Sequence, residues 1–134
     1  YWQHWLDVGA RGGEQMPGVF HVNWFRRDEE GNWLWPGFGE NMWVLKWIVD
    51  RVGGGGEAVE SPIGWLPTAA AVGFDELGLD PVVGEALLEV KVEDWLAEAN
   101  ERAEYLASFG EKLPAVLAEE NDSLTAQLQA SGDS

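Results

Sequence analysis

Eight of the nine tryptophans fall before position 66 (Trp2, Trp5, Trp24, Trp33, Trp35, Trp43, Trp47 and Trp65), and only Trp95 follows. The acids are skewed the other way. Residues 1–74 hold nine acids and five bases, a balance of −4; residues 75–134 hold fifteen and three, −12, giving the chain its formal −16. The first half therefore reads as aromatic and irregular. The second half is expected as amphipathic helices with a solvated acidic face. High net charge signals disorder only when hydrophobicity is low, and a chain that is 46% hydrophobic folds. Its 134 residues suit one ordinary domain. The negative charge excludes phosphate-backbone binding by clustered Lys and Arg, so no nucleic-acid partner is expected. An anionic membrane is disfavoured for the same reason. With no Cys there is no disulfide framework and no thiolate chemistry. No apolar run approaches the ~20 residues that span a bilayer, and no basic start leads into a signal-like apolar segment. A soluble chain is expected. Tyr1–Leu6 reads as the end of an element already under way, so it is expected to be part of something longer.

Local pattern gives the elements. Residues 1–8 read as the end of a helix stopped by Gly9 and the Arg11-Gly12-Gly13 loop. Gly18–Phe25 is β-branched and aromatic, bounded by Met16-Pro17, and reads as a strand. Asp28-Glu29-Glu30-Gly31 is a charged turn. Residues 33–40 are too rich in Gly and Pro for a regular element. Asn41 is a candidate N-cap for a helix from Met42 to about Val52. Leu45, Ile48, Val49 and Val52 form its apolar stripe, with Trp43 and Trp47 beside it, so the helix is expected to be buried. Gly53–Gly56 is a flexible surface loop. Ser61–Pro67 is extended, and Pro81–Val90, Val92–Phe109 and Pro114–Ala130 read as helices. Within Val92–Phe109, Glu98 and Arg102 are placed to pair at i,i+4.

Chemistry is sparse. There is no phosphate-cradling Gly-x-x-x-x-Gly-Lys-Ser/Thr and no His-Glu-x-x-His. His4 and His21, the two histidines, are far apart and read as packed or hydrogen-bonded rather than as a metal pair. No two carboxylates are singled out for glycoside chemistry. The informative stretch is 20–45, where Phe25, Trp33, Trp35 and Phe38 surround Pro36, Gly37 and Gly39. Aromatic walls suit a flat π system, and the Asn41 amide offers a donor and an acceptor to a purine edge. The residues alone favour a plainer reading, a small aromatic core with an N-cap.

Three segments closely resemble the C-terminal part of GTP-dependent phosphoenolpyruvate carboxykinases: Phe20–Gly31, the run Leu34-Trp35-Pro36-Gly37-Phe38-Gly39-Glu40-Asn41, and Val44–Trp47. Ser61-Pro62-Ile63-Gly64 is similar to the family's Thr-Pro-Ile-Gly segment. Phe109–Pro114 is similar to its near-terminal segment, in the actinobacterial manner. The resemblance is near-continuous over 1–67 and looser beyond.

It implies an α+β or α/β fragment: a strand and aromatic Gly/Pro loop, a buried helix, an extended segment and a helical C-terminal cap. Together they would form part of the mixed α/β C-terminal nucleotide-binding domain. Residues 1–67 would be the guanine-pocket segment and 75–134 the acidic helical cap, with no second complete domain. It implies gluconeogenic conversion of oxaloacetate and GTP to phosphoenolpyruvate, GDP and CO₂ by a cytoplasmic, monomeric lyase (decarboxylase). By motif, the guanine pocket maps onto Phe25, Trp33, Phe38 and Asn41. The cofactors implied are GTP/GDP with Mn²⁺ and Mg²⁺. The family's phosphate loop, metal ligands and substrate-binding Arg residues lie upstream of the matched segment, so no catalytic or metal residue is expected here and the isolated chain is expected to be inactive. Oxaloacetate or phosphoenolpyruvate would be partners only with that upstream part. Trp33 replaces the family's usual Phe, narrowing the pocket, and Trp43 replaces its usual Arg. A noncatalytic carbohydrate-binding platform of Trp33, Trp35 and Phe38, or a purely structural helical module, is the alternative.

Overall fold

The acidic second half folds mainly as helices. In this computed structural model, which describes residues 1–132, contacts divide the chain into two units: Tyr1–Pro17 with Val90–Ser134, and Gly18–Glu89.

In the first unit, α6 (Val92–Ala107) packs on α7 (Ala115–Gly132). Glu93 and Asp94 occupy the first turn of α6, where the helix dipole favours anions. Ala99 on α6 and Leu128 on α7 are fully buried. Buried Asn121 of α7 donates through Nδ2 to the Ala99 carbonyl at 3.0 Å and accepts from Arg102 Nη1 at 3.0 Å. Arg102 therefore reaches across to α7, and not along its own helix to Glu98 as the spacing suggested: a buried amide oxygen needs a donor, whereas an exposed ion pair contributes little. At the chain's start, α1 (Trp2–Gly12) runs through Gly9 and ends within the expected Arg11-Gly12-Gly13 loop. A helical Gly costs only about 1 kcal/mol; the break comes at Gly13, whose φ is +48°. Trp2 meets Phe109 edge-on at 4.4 Å, and Phe109 meets Tyr105 at 5.2 Å.

The second unit departs further from expectation. Gly18–Phe25 is not a β-strand. Burial does alternate, with Phe20, Val22 and Trp24 half-buried and Val19, His21, Asn23 and Phe25 exposed. Yet no ladder forms on it among the described residues, and a strand needs a neighbour's N–H and C=O groups as well as a side-chain period. The sheet present is a hairpin of β1 (Ala58–Ser61) and β2 (Gly64–Pro67), antiparallel, pairing Val59 with Leu66 and Glu60 with Trp65. Gly64, at φ +112°, allows the turn, and Ser61 Oγ donates to the Gly64 carbonyl at 2.6 Å. The segment expected to be simply extended thus folds back on the residues before it.

Helix α2 (Asn41–Val52) forms where expected, but Asn41 does not cap it. Glu40 occupies the cap position, without a side-chain cap bond. Nor is α2 a buried helix. Trp47 is buried, its indole N–H donating to the Glu57 carbonyl at 3.0 Å, while Met42, Leu45, Val49 and Val52 lie exposed. The stripe is present, but of its four residues only Ile48 is half-buried. The core forms instead where residues 69–88 return: α3 (Ala69–Val72), α4 (Phe74–Leu77) and α5 (Pro81–Leu88). Thr68 caps α3, accepting from Ala71 N, and Asp80 caps α5, accepting from Val82 N. Buried Trp35, Val72 and Phe74 form the centre, with Trp24, Trp43 and Val44 packed against them. Among the described residues no helix is long and apolar enough to cross a membrane.

Candidate functional site

The site is built by the loop between residues 24 and 41, and its shape begins with a charged turn. Asp28 accepts at Oδ1 from the backbone N–H groups of Glu30 (3.0 Å) and Asn32 (2.8 Å), and at Oδ2 from the Asn32 amide at 3.0 Å. The Asn32 side-chain bond, then its backbone bond, hold the Asp28 carboxyl below its ordinary 3.8. This turn reverses the chain, so that Leu34 N donates to the Arg26 carbonyl at 3.0 Å and Arg27 pairs across from Trp33. Arg26 anchors the hairpin: its Nη1 donates to the Leu87 and Glu89 carbonyls at 2.8 and 3.2 Å. These lie at the C-terminal end of α5, where a helix favours cations.

The hairpin brings Phe25 against Trp33, ring centroids 5.8 Å apart and nearly perpendicular. Arg27 covers one face of Trp33, its guanidinium carbon 3.6 Å from the ring centroid. Phe25 and Trp33 are 72% and 53% exposed.

Past Pro36 the backbone turns at Gly37, whose φ of +137° is open only to glycine. The turn leaves Phe38 standing at 91% exposure at the start of a short 3₁₀ segment, Phe38–Glu40, that leads into α2. Asn41 follows, half-buried. Its Oδ1 accepts from Trp35 Nε1 at 2.8 Å, and the same indole N–H also reaches the Gly37 carbonyl at 3.0 Å. The four residues singled out in the sequence thus fall into two groups. Phe25 and Trp33 touch each other on the hairpin, and Phe38 and Asn41 lie within one turn at the head of α2. Trp35 stands between them in sequence and is tied to Asn41 directly. The sequence reading placed Trp35 among the aromatics but missed its bond to Asn41; the one signal is an indole six residues before an Asn across a Pro-Gly bend.

Trp43, which stands where the resembling family usually has Arg, is absorbed into the core. Its ring lies so close to Gly73 that a Cβ there would come within 2.7 Å of it, and its N–H donates to Glu40 Oε2 at 3.2 Å. A separate open groove of about 410 Å³, lined by Phe74, Leu79, Gly84 and Leu88 among others, includes none of the four expected residues. Among the described residues no group of three or more His, Asp or Glu side chains is placed to hold a metal ion, so the residues here do not fit the implied Mn²⁺ or Mg²⁺.

The arrangement is one of aromatic faces beside a half-buried amide. The family profile for the phosphoenolpyruvate carboxykinase C-terminal P-loop domain matches residues 1–127, and the chain belongs to that family. A protein of Corynebacterium efficiens named phosphoenolpyruvate carboxykinase (GTP) is 44% identical over 132 residues, covering 97% of this chain and 21% of that protein. Proteins of the same name from Paenarthrobacter aurescens and Corynebacterium glutamicum are each 42% identical, over 129 and 132 residues, again covering 21% of their lengths. The chain therefore spans about a fifth of the relatives it matches. The Gly-x-x-x-x-Gly-Lys-Ser/Thr of a P-loop is not among its 134 residues.

Proposed function

We propose that this chain supplies the guanine-binding wall of a GTP-dependent phosphoenolpyruvate carboxykinase, which converts oxaloacetate and GTP to phosphoenolpyruvate, GDP and CO₂ in gluconeogenesis. Phe25, Trp33 and Phe38 enclose the base and Asn41 addresses its edge. The observation that carries this reading is Phe38: a large apolar ring 91% exposed on a glycine bend, three residues from an amide whose oxygen is already fixed. Exposing such a ring costs free energy unless a partner covers it, and a purine has the flat face to do so. Stacking a base on an aromatic side chain contributes roughly 1–3 kcal/mol. The γ-phosphate and its divalent cations would be held by residues outside this chain. The enolate left by decarboxylation would be phosphorylated there, by in-line attack with cations offsetting the developing charge. The 134 residues alone are therefore expected to turn over no oxaloacetate.

The test is an NMR titration of the ¹⁵N-labelled chain with GDP, ADP and a cello-oligosaccharide. Guanine-dependent shifts at Phe38 and Asn41 that vanish in Phe38→Ala support the pocket. A response to the sugar alone sinks it and favours a carbohydrate platform. Robust carboxykinase turnover by the isolated chain would overturn the assignment of catalysis to residues outside it.

A further inference from the structure

We infer that Arg26 is a positioning residue of the pocket: one nitrogen of its guanidinium, bound to two carbonyls at the end of α5, holds the hairpin so that the Phe25 ring closes on a base seated at Phe38. The inference rests on the pocket reading above and adds the residue that keeps its two halves in register.

Those halves have different supports. Phe38 and Asn41 stand at the head of α2, and Asn41 is tied to Trp35, a member of the buried core. Phe25 and Trp33 ride on the hairpin, whose pairing among the described residues is the one bridge between Arg27 and Trp33. A two-stranded ribbon is marginally stable at best by itself, so its angle to the core has to be fixed from outside. Arg26 does this from a half-buried position. Its carbonyl accepts from Leu34 N at 3.0 Å and closes the hairpin. Its Nη1 donates to the Leu87 and Glu89 carbonyls at 2.8 and 3.2 Å. Leu87 packs against the cluster of Trp35, Val72 and Phe74. The hairpin is therefore fastened to the same core that holds Asn41.

The end of α5 suits this use. It closes without glycine on Glu89, which is extended at φ −61° and ψ 133° and whose N–H is spent on the Glu85 carbonyl. The last carbonyls of a helix have no donor of their own, and the dipole at that end favours a cation. The two hydrogens of a guanidinium nitrogen lie in one fixed plane and meet two carbonyls at once. On its other side Phe25 is held too, its N–H donating to Asn23 Oδ1 at 2.9 Å. The residues flanking that ring thus leave it a single direction, set by Arg26.

The experiment is a double-mutant cycle on the ¹⁵N-labelled 134-residue chain, titrated with GDP. Phe25→Ala and Phe38→Ala are each expected to weaken binding at least about fivefold. Arg26→Met keeps the apolar stem and removes the donors; it should weaken GDP to a similar degree, with Arg26→Lys in between. In the Arg26→Met background Phe25→Ala should change affinity less than about twofold further, while Phe38→Ala keeps its full effect. A merely structural Arg26 would lower the melting temperature and leave the Phe25→Ala factor as it was, which overturns the inference. Loss of the Phe38→Ala effect as well would make Arg26 a support of the whole unit and overturns it too. Should Arg26→Met fail to fold, the same cycle on Arg26→Lys decides, an unchanged Phe25→Ala factor again overturning it. GDP binding that Phe25→Ala does not alter would sink this inference alone. GDP failing to bind the unsubstituted chain would instead bring down the pocket reading, and this inference with it.

Discussion

Arg27 lies over one face of Trp33, 3.6 Å from the ring centroid, while Phe25 meets the same indole edge-on. Trp33 is thus partly used by its own hairpin, whereas Phe38 is covered by nothing comparable. Phe38→Ala should lower guanine-nucleotide affinity by the full stacking contribution, ~1–3 kcal/mol. Arg27→Ala should change that affinity less, because Arg27 contacts Trp33 of its own hairpin. NMR or calorimetric titration orders the two, and the reverse order would assign the base to the hairpin face.

The Asp28 turn should be sensitive to acid but not to pH near neutrality. Its carboxyl is held below the ordinary value by the Asn32 bonds. A carboxyl lowered in the folded state contributes stability above its unfolded pKa and loses it as pH falls through the folded value. The Glu30 and Asn32 amide resonances should therefore stay fixed from roughly pH 7 to roughly pH 5 and move only in stronger acid. In Asp28→Asn that acid transition should disappear.

Gly73 joins α3 to α4 at φ +86°, with the Trp43 ring within 2.7 Å of any added Cβ. Gly73→Ala carries a left-handed penalty of about 1–2 kcal/mol and forces Trp43 to shift. Chemical denaturation should register a loss of at least that size. An unchanged midpoint would mean the α3–α4 junction relaxes freely.

Asn121 satisfies both Ala99 and Arg102 between α6 and α7. Asn121→Ala should cost about 1–3 kcal/mol by removing both hydrogen bonds between the helices. Glu98→Ala should cost less than about 0.5 kcal/mol, because Arg102 is engaged elsewhere. Thermal melts of the two variants check the contrast.

Much of the architecture was legible from periodicity. The helices at 81–88, 92–107 and 115–132 fall within a few residues of their expected spans, because Pro, Asp and Gly mark their ends locally. The run Leu34–Asn41 pointed to the family before any coordinates, since so specific a string leaves little choice. The short α3 and α4 were not foreseen. They are four residues each, too brief to show a period, and their ends are set by Thr68, Gly73 and Gly78.

By itself the sequence determined the helical identity of the second half, the aromatic content of the first and the family to which the chain belongs. All of these depend on local spacing and residue type. Only the tertiary structure decided that Gly18–Phe25 forms no ladder among the described residues, that most of the apolar stripe of α2 stays exposed, and that Asn41 answers an indole instead of capping its helix. A strand needs a neighbour, a stripe needs a facing surface, and an amide turns toward whichever donor the fold brings within about 3 Å of it.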